Sequence, residues 1–272
     1  MNENKEDIVV KSFLDGLWTD RKVIWQLAKN DCKARFASST LGVTWSFLQP
    51  LLNVFVLWFV FQVGFKSMPV DDIPFIVWYI PAFLSWNFFQ EAVSQATNSL
   101  ADYAYLLKKV NFNVPMIPLI KVVSAAIIHM AFIVFIIMMN IFYGRKPNIY
   151  FLQMLYYFFC AFSLSAALGW LLSALNVFLR DVANLVALVL QIGFWMTPLF
   201  WDPSGMAPTV QRLLKLNPMY YVCVGYRESV ISDILFWQHP YLTAYFWILV
   251  IVLFVLGTTI FRRLRPHFAD AL

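Results

Sequence analysis

Six internal apolar runs, a shortage of charge and a lopsided distribution of lysine and arginine predict an all-α membrane protein with six transmembrane helices and both termini in the cytoplasm. Of the 272 residues, 61% are hydrophobic and 13% charged, about half the charged share of an ordinary soluble domain. A helix needs about 20 mainly apolar residues to cross a bilayer. Runs of that kind fall at 42–65, 73–95, 122–143, 151–178, 182–200 and 241–261. With six spans, 14 of the 20 Lys and Arg share the side of the termini and 6 lie opposite. Lys and Arg concentrate on the cytoplasmic side of membrane proteins, so the terminal side is expected to be cytoplasmic. The net charge of +5 is accounted for by this orientation signal, and no nucleic-acid partner is expected.

The chain opens with a polar stretch holding Glu3, Glu6, Asp7, Asp15 and Asp20. No secretory apolar region precedes the first run, so insertion is expected to rely on the internal segments. Residues 17–36 then mix Trp18, Trp25, Leu27 and Phe36 with Arg21, Lys22, Lys29, Lys33 and Arg35. Val23, Leu27 and the aromatics recur at near-helical spacing, which predicts a basic amphipathic helix lying in the cytoplasmic interface. Lys29, Lys33 and Arg35 are candidates for a basic substrate entrance that draws in phosphate groups. The positive-inside bias accounts for the same three residues equally well.

The first span is rich in aromatics. Phe55, Trp58 and Phe59 sit near its middle, where an interfacial aromatic belt does not explain them, and their spacing puts them on one helical face. That face either meets lipid or lines a conduit in which sugar rings stack on aromatics. With Gln62 on the first span and Phe194 and Trp195 near the end of the fifth, these residues are the conduit-lining candidates. The second span carries Glu91 toward its cytoplasmic end, near Gln90, Gln95 and Asn98. Residues 99–113 follow as a short amphipathic helix ended by Pro115. This link is longer than a connector needs to be, and it either docks a cytosolic partner or packs on the membrane surface. His129, in the third span, serves either a proton path or, as a neutral ring, a hydrogen bond to a neighbouring helix. Residues 201–240 hold Pro203, Gly205, Pro208 and Pro218 among apolar pieces too short to span. They predict interfacial or re-entrant helices on the outer face.

Chemistry is conspicuous by what is missing from the sequence. No GxxxxGK[ST], HExxH or GxSxG pattern occurs. Cys32, Cys160 and Cys223 show no metal-ligand or CxxC spacing. Glu91 is the single acidic residue within an expected span, too few for a proton-coupled carrier of the usual kind. No catalytic residue and no metal ligand is therefore expected in this chain.

The segment Asp31-Cys32-Lys33-Ala34-Arg35-Phe36, followed by Ser39, Leu41-Gly42, Trp45, Leu48 and Pro50, resembles the opening signature of type-2 ABC exporter permeases for polysaccharides. Trp195, Thr197-Pro198, Trp201, Asn217-Pro218-Met219-Tyr220-Tyr221 and Gly225-Tyr226-Arg227 resemble the second signature. The ending Leu264-Arg265-Pro266-His267-Phe268-Ala269-Asp270 is most similar to teichoic-acid translocation permeases, a branch related to O-antigen and capsule exporters. The resemblance runs over the whole chain. It implies a homodimer of six-span permeases bound to two copies of a cytosolic ATP-binding cassette subunit. That subunit would hold ATP and Mg, and this chain would bind no cofactor. Residues 99–113 would be the coupling element, with Asp102, Tyr103, Leu106, Lys108, Lys109 and Asn111 at the ATPase. The first and fifth spans would line the conduit, and Asn217, Pro218, Tyr220, Tyr221 and Arg227 would belong to an outer gate. The cargo would be an envelope polymer on an undecaprenyl-diphosphate anchor, wall teichoic acid by the tail. O-antigen, capsular polysaccharide or a hydrophobic drug are the alternatives.

Overall fold

The computed structural model describes residues 16–35, 39–66, 73–107, 112–232 and 234–271. Every regular element among them is helical. In chain order they are α1 (Arg21–Ala34), α2 (Trp45–Trp58), α3 (Phe75–Asp102), the short α4 (Ala104–Leu107), α5 (Met116–Phe142) and α6 (Gln153–Phe178). The remaining helices are α7 (Asp181–Met196), α8 (Pro208–Leu214), α9 (Pro218–Ile231), α10 (Pro240–Leu264) and the terminal turn α11 (Phe268–Ala271). A π-helical segment, Phe59–Gly64, prolongs α2; its end is marked by the Phe65 N–H bonding the Val60 carbonyl at 2.9 Å.

Among the described residues, four helical stretches are long and apolar enough to cross a membrane: Gly42–Gly64, Met116–Phe142, Ile149–Phe178 and Pro240–His267. The sequence expects two more. α3 has 28 residues, about 42 Å of helix, but polar side chains crowd its C-terminal half. α7 is apolar but has only 16 residues, about 24 Å of rise against a hydrocarbon core of about 30 Å.

Element ends differ from the expected ones for local reasons. The second apolar run ends at 95, yet α3 continues to Asp102, because Ala96, Leu100 and Ala101 keep the segment helical and bury Ala96 and Leu100. The expected helix at 99–113 is thereby divided: its first residues finish α3, and α4 follows after Tyr103. The third span begins at Met116, not 122. Pro115 sits at its N-cap and Pro118 in its first turn, where a missing N–H disturbs no helical hydrogen bond.

The core is built by α3, α5, α6 and α9, with α10 laid along α6. Lipid tails are as apolar as leucine, so these contacts are held by close packing and hydrogen bonds. A Cβ on Gly257 of α10 would stand 2.7 Å from the Ala167 carbonyl oxygen. That approach fixes α10 against α6 and admits only glycine. Trp170 of α6 donates its indole N–H to the Pro115 carbonyl at 2.9 Å, tying α6 to the start of α5. Asn176 donates to the Thr97 carbonyl at 3.2 Å and accepts the Ala183 N–H at 3.1 Å, which sets α7 beside α3. α2 is packed least. Only 11% of its apolar window is buried, against 56% for α5, so most of its surface is open to whatever surrounds the chain.

Candidate functional site

A cavity of about 800 Å³ lies between α2, α3 and α7. Its walls follow helical periodicity. α3 contributes Phe83, Trp86, Asn87, Gln90, Glu91, Ser94 and Gln95, a single stripe at spacings of three and four. α2 contributes Trp45, Ser46, Gln49, Pro50, Asn53, Val56 and Leu57, and α7 adds Ala187, Gln191 and Phe194. From Phe83 to Gln95 the α3 wall rises about 18 Å. The lining is mostly neutral amides, hydroxyls and aromatic rings. Amides offer donors and acceptors together, which suits a ligand dense in hydroxyl groups, and ring faces suit its C–H surfaces. Trp86 is held in place by its own hydrogen bond to Gln90 at 3.1 Å. Gln49, Asn53 and Gln191 are exposed, so the cavity opens between α2 and α7.

One end of the cavity is charged. Arg35, at the C-terminus of α1, directs its guanidinium to the Glu91 carboxylate and the Gln95 side-chain carbonyl, and reaches Ser124 Oγ of α5 at 3.4 Å. The contacts continue outward from there. Asp31 Oδ1 accepts from Lys121 Nζ and from the Tyr103 hydroxyl, both at 2.8 Å. Lys121 also meets Asp102 at 3.0 Å, and its ammonium lies 5.0 Å from the Tyr103 ring centroid. Thus α1, the end of α3 and the start of α5 share one ionic network. Burial pushes the Asp31 carboxyl upward, but the Lys121 hydrogen bond and charge and the Tyr103 hydrogen bond outweigh it and hold the pKa below its ordinary value.

At the other end, α9 is wedged between α3 and α6, where a solvent loop would leave a gap. Asn217 caps it, accepting the Met219 N–H at 3.0 Å and donating to Thr197 Oγ1 at 2.8 Å, with Pro218 in the first turn. Arg145 closes its far end on the Val230 and Ile231 carbonyls at 2.7 and 3.2 Å. A Cβ on Gly225 would stand 2.1 Å from the Tyr157 ring, so glycine lets α9 reach that depth. Arg227 is buried and donates to the Trp78, Pro198 and Leu199 carbonyls at 3.1, 2.9 and 3.0 Å, with its guanidinium carbon 3.5 Å from the Trp78 ring centroid. Tyr221 bonds Tyr156 at 3.1 Å and Thr243 at 2.9 Å, while Tyr220 is half-buried. His129 Nε2 pairs with the Tyr226 hydroxyl at 2.9 Å, and its ring lies against those of Phe88 and Phe158. Of the two roles open to it in the sequence, this geometry supplies the bond to a neighbouring helix.

The residues singled out in the sequence separate into those the fold gathers and those it does not. Of the basic trio, Arg35 lines the cavity. Lys29 and Lys33 are exposed, Lys29 lying 4.8 Å from the Trp25 ring centroid. Of the aromatic set, Phe194 lines the cavity. Phe55, Phe59 and Trp195 are exposed outside its lining, and Trp58 and Gln62 are half-buried, also outside it. The rotation of α2 turns Ser46, Gln49 and Asn53 to the cavity, a face that the aromatic pattern of the sequence does not indicate. A polar residue every third or fourth position through an apolar run was the available signal. Asp102 and Tyr103 turn toward Lys121 and Asp31. Leu106 belongs to α4, and Lys108, Lys109 and Asn111 lie outside the described residues, as does Phe36.

The family model described as ABC-2 type transporter matches residues 22–231, from α1 to the end of α9, and the chain belongs to that family. It is similar to the "O-antigen export system permease protein RfbA" of Klebsiella pneumoniae, with 26% identity over 258 residues, 90% of this chain and 93% of that protein. The protein of the same name from Myxococcus xanthus is also 26% identical over 258 residues, 94% of this chain and 97% of that one. The chain is thus a multi-pass permease component of the cytoplasmic membrane, built from apolar helices able to cross it.

Proposed function

We propose that this chain is the membrane half of an ATP-driven exporter that passes a lipid-linked envelope polysaccharide through the cytoplasmic membrane. The cavity between α2, α3 and α7 carries the proposal: it is lined with amides and aromatics and opens sideways, in a family of transport permeases. ABC-2 permeases generally pair with an ATP-binding subunit. In this reading α3 and α7 join the four long apolar helices as the second and fifth of six spans, and both termini are cytoplasmic. Two copies of the chain pair along α2 and α7. Exposed Gln49, Asn53 and Gln191 favour that pairing, because polar groups facing lipid are expensive and a second copy with water between the two relieves them. Two ATP-binding subunits, holding ATP and Mg, seat against residues 99–113. The segment 201–240, through Asn217, Pro218, Tyr220, Tyr221 and Arg227, frames the outer exit. The glycan passes along Asn53, Asn87, Gln191 and Phe194 while its lipid anchor stays in the bilayer.

For the cargo, the names of the relatives favour an O-antigen-type polysaccharide over the wall teichoic acid suggested by the tail. Both chemistries are poly-hydroxylated chains on a diphosphate lipid, and a neutral amide lining suits the less charged of them. The test is complementation with the chain and its cognate ATP-binding subunit in two hosts, one lacking its O-antigen permease and one lacking its teichoic-acid permease. Restored surface O-antigen supports the proposal. Restoration of the teichoic-acid strain alone returns the cargo to the expectation from the tail. A chain that never co-purifies with a nucleotide-binding subunit overturns the exporter itself.

A further inference from the structure

A second concavity, of about 900 Å³, lies on another side of the chain, where α1 meets α5, α6 and α10. It shares no residue with the polar cavity. Its long walls are apolar: α6 runs along it from Phe159 to Trp170, and α10 from Trp247 to Phe254. Phe159 and Trp247 close one end, with ring centroids 5.7 Å apart. The other end is roofed by α1, which supplies Ile24, Trp25 and the single charged lining residue, Arg21, and by Trp18 just before it.

The dimensions fit one kind of occupant. Phe159 to Trp170 is about 17 Å along the helix axis, and one leaflet of hydrocarbon is about 15 Å deep. The groove therefore runs the length of an acyl chain, from the α1 level toward the bilayer middle. Its polar end is cationic twice over. The Arg21 guanidinium lies 5.2 Å from the Trp18 ring centroid and donates to the Trp18 carbonyl at 3.1 Å. The Lys29 ammonium lies 4.8 Å from the Trp25 ring centroid. Both side chains are exposed, and both tryptophans line the groove. Tryptophan and cation together at one depth mark the headgroup level of a membrane. Charge complementarity then selects the headgroup.

We infer that this groove binds an anionic glycerophospholipid of the leaflet on the α1 side. One acyl chain lies along α6 and α10, and the phosphate rests beside Arg21, with Lys29 about 12 Å further along α1 adding to the positive potential at that level. The inference concerns a resident lipid and holds whatever the exporter carries.

Native mass spectrometry of the detergent-purified chain, supplied with phosphatidylglycerol or phosphatidylcholine of the same acyl composition, tests it. Phosphatidylglycerol is expected to be retained preferentially. Removing each cation should weaken it about fivefold, so R21Q/K29Q loses most of the preference. Both positions are exposed, and the substitutions leave the core intact. Ser163→Trp, which fills the groove midway along α6, should abolish retention with the charges untouched. Phosphatidylglycerol with a photoreactive acyl terminus should label Phe159, Phe162 or Trp247. Equal retention of the two lipids by the natural chain, a preference that survives either variant, or labelling confined to other surfaces overturns the assignment. If Ser163→Trp fails to fold, the charge variant and the labelling pattern decide.

Discussion

Arg35 and Arg227 each bring a guanidinium into the helix bundle, one at either end of α3, but they are held by different chemistry. Arg35 is 23% exposed and meets side chains: Glu91, Gln95, Ser124 and, at 3.8 Å, Asp31. Arg227 is 8% exposed and meets the backbone: three carbonyls on α3 and on the turn after α7, with the Trp78 ring beneath it. A side-chain ion pair near water exchanges partners at small cost, because water and other charges replace what is lost. Carbonyls that lose a buried guanidinium have no substitute. The Arg227 end therefore holds α9 through acceptors that nothing replaces, and the Arg35 end is held by side chains that can exchange partners.

The largest expected effect is at the fixed end. Arg227→Met should destabilise the chain by about 3 kcal/mol or more, because it leaves three buried carbonyls without a donor at about 1 kcal/mol or more each. It should be read as a fall in the detergent-solubilised melting temperature and in membrane abundance. Arg227→Lys should recover only part of this loss, since one ammonium cannot fork to three carbonyls and stack on an indole. Full stability of Arg227→Met would show that α9 is seated by its apolar face alone.

The joint should respond more gently. Lys121→Met removes the cation shared by Asp31 and Asp102 and leaves Asp31 buried beside Tyr103. A loss of about 2 kcal/mol is expected, in the range of hydrogen bonds to charged groups. Adding Asp31→Asn should return part of that loss, because the stranded charge is gone. Strictly additive single and double variants would mean that the two side chains do not act as a pair.

These two regions also differ in how far the sequence discloses them. The long apolar runs were plain: α5, α6 and α10 overlap the expected third, fourth and sixth spans. The proline-marked segment 201–240 predicts apolar pieces too short to span, and α8 and α9 have 7 and 14 residues. Arg227 was visible as part of a motif, but its acceptors are main-chain carbonyls on distant elements, which no side-chain pattern reports. The Arg35 network joins residues up to 90 positions apart, so Asp31 and Lys121 could be found only by folding the chain. The cavity lining was legible in principle. Asn87, Gln90, Glu91, Ser94 and Gln95 repeat at helical spacing, whereas the conspicuous aromatics Phe55 and Phe59 lie on the opposite face of α2. Helix rotation is set by packing against neighbours, and hydropathy contains no record of it.

Acid should separate the two ends further. The folded-state pKa of Asp31 lies below the ordinary carboxylate value. The stability it contributes is therefore present above about pH 4 and is lost as pH falls through the folded value. Spin labels on α1 and α5 should show the two helices drawing apart in acid, while labels on α9 and α3, joined through carbonyls, stay in place. Asp31→Asn should loosen the first pair already at neutral pH and flatten its acid response. A separation of α1 from α5 that titrates unchanged in this variant would assign the response to another group.

The smallest effect on stability, and the most telling for function, belongs between the two arginines. Asn53 and Gln191 are exposed on the open side of the cavity and make no hydrogen bond that the fold depends on. Asn53→Leu and Gln191→Leu should therefore leave the stability within about 0.5 kcal/mol of the natural chain, as surface substitutions do. Each removes an amide from the path assigned to the glycan. In cells the pair should reduce surface polysaccharide severalfold at unchanged protein level. In the purified complex, ATP hydrolysis should persist while becoming less responsive to added lipid-linked glycan. The control is Phe55→Leu, on the face of α2 turned away from the cavity lining, which is expected to export normally. If Phe55→Leu blocks export and the amide variants do not, the conduit follows the aromatic face of α2 and the cavity between α2, α3 and α7 is a packing feature.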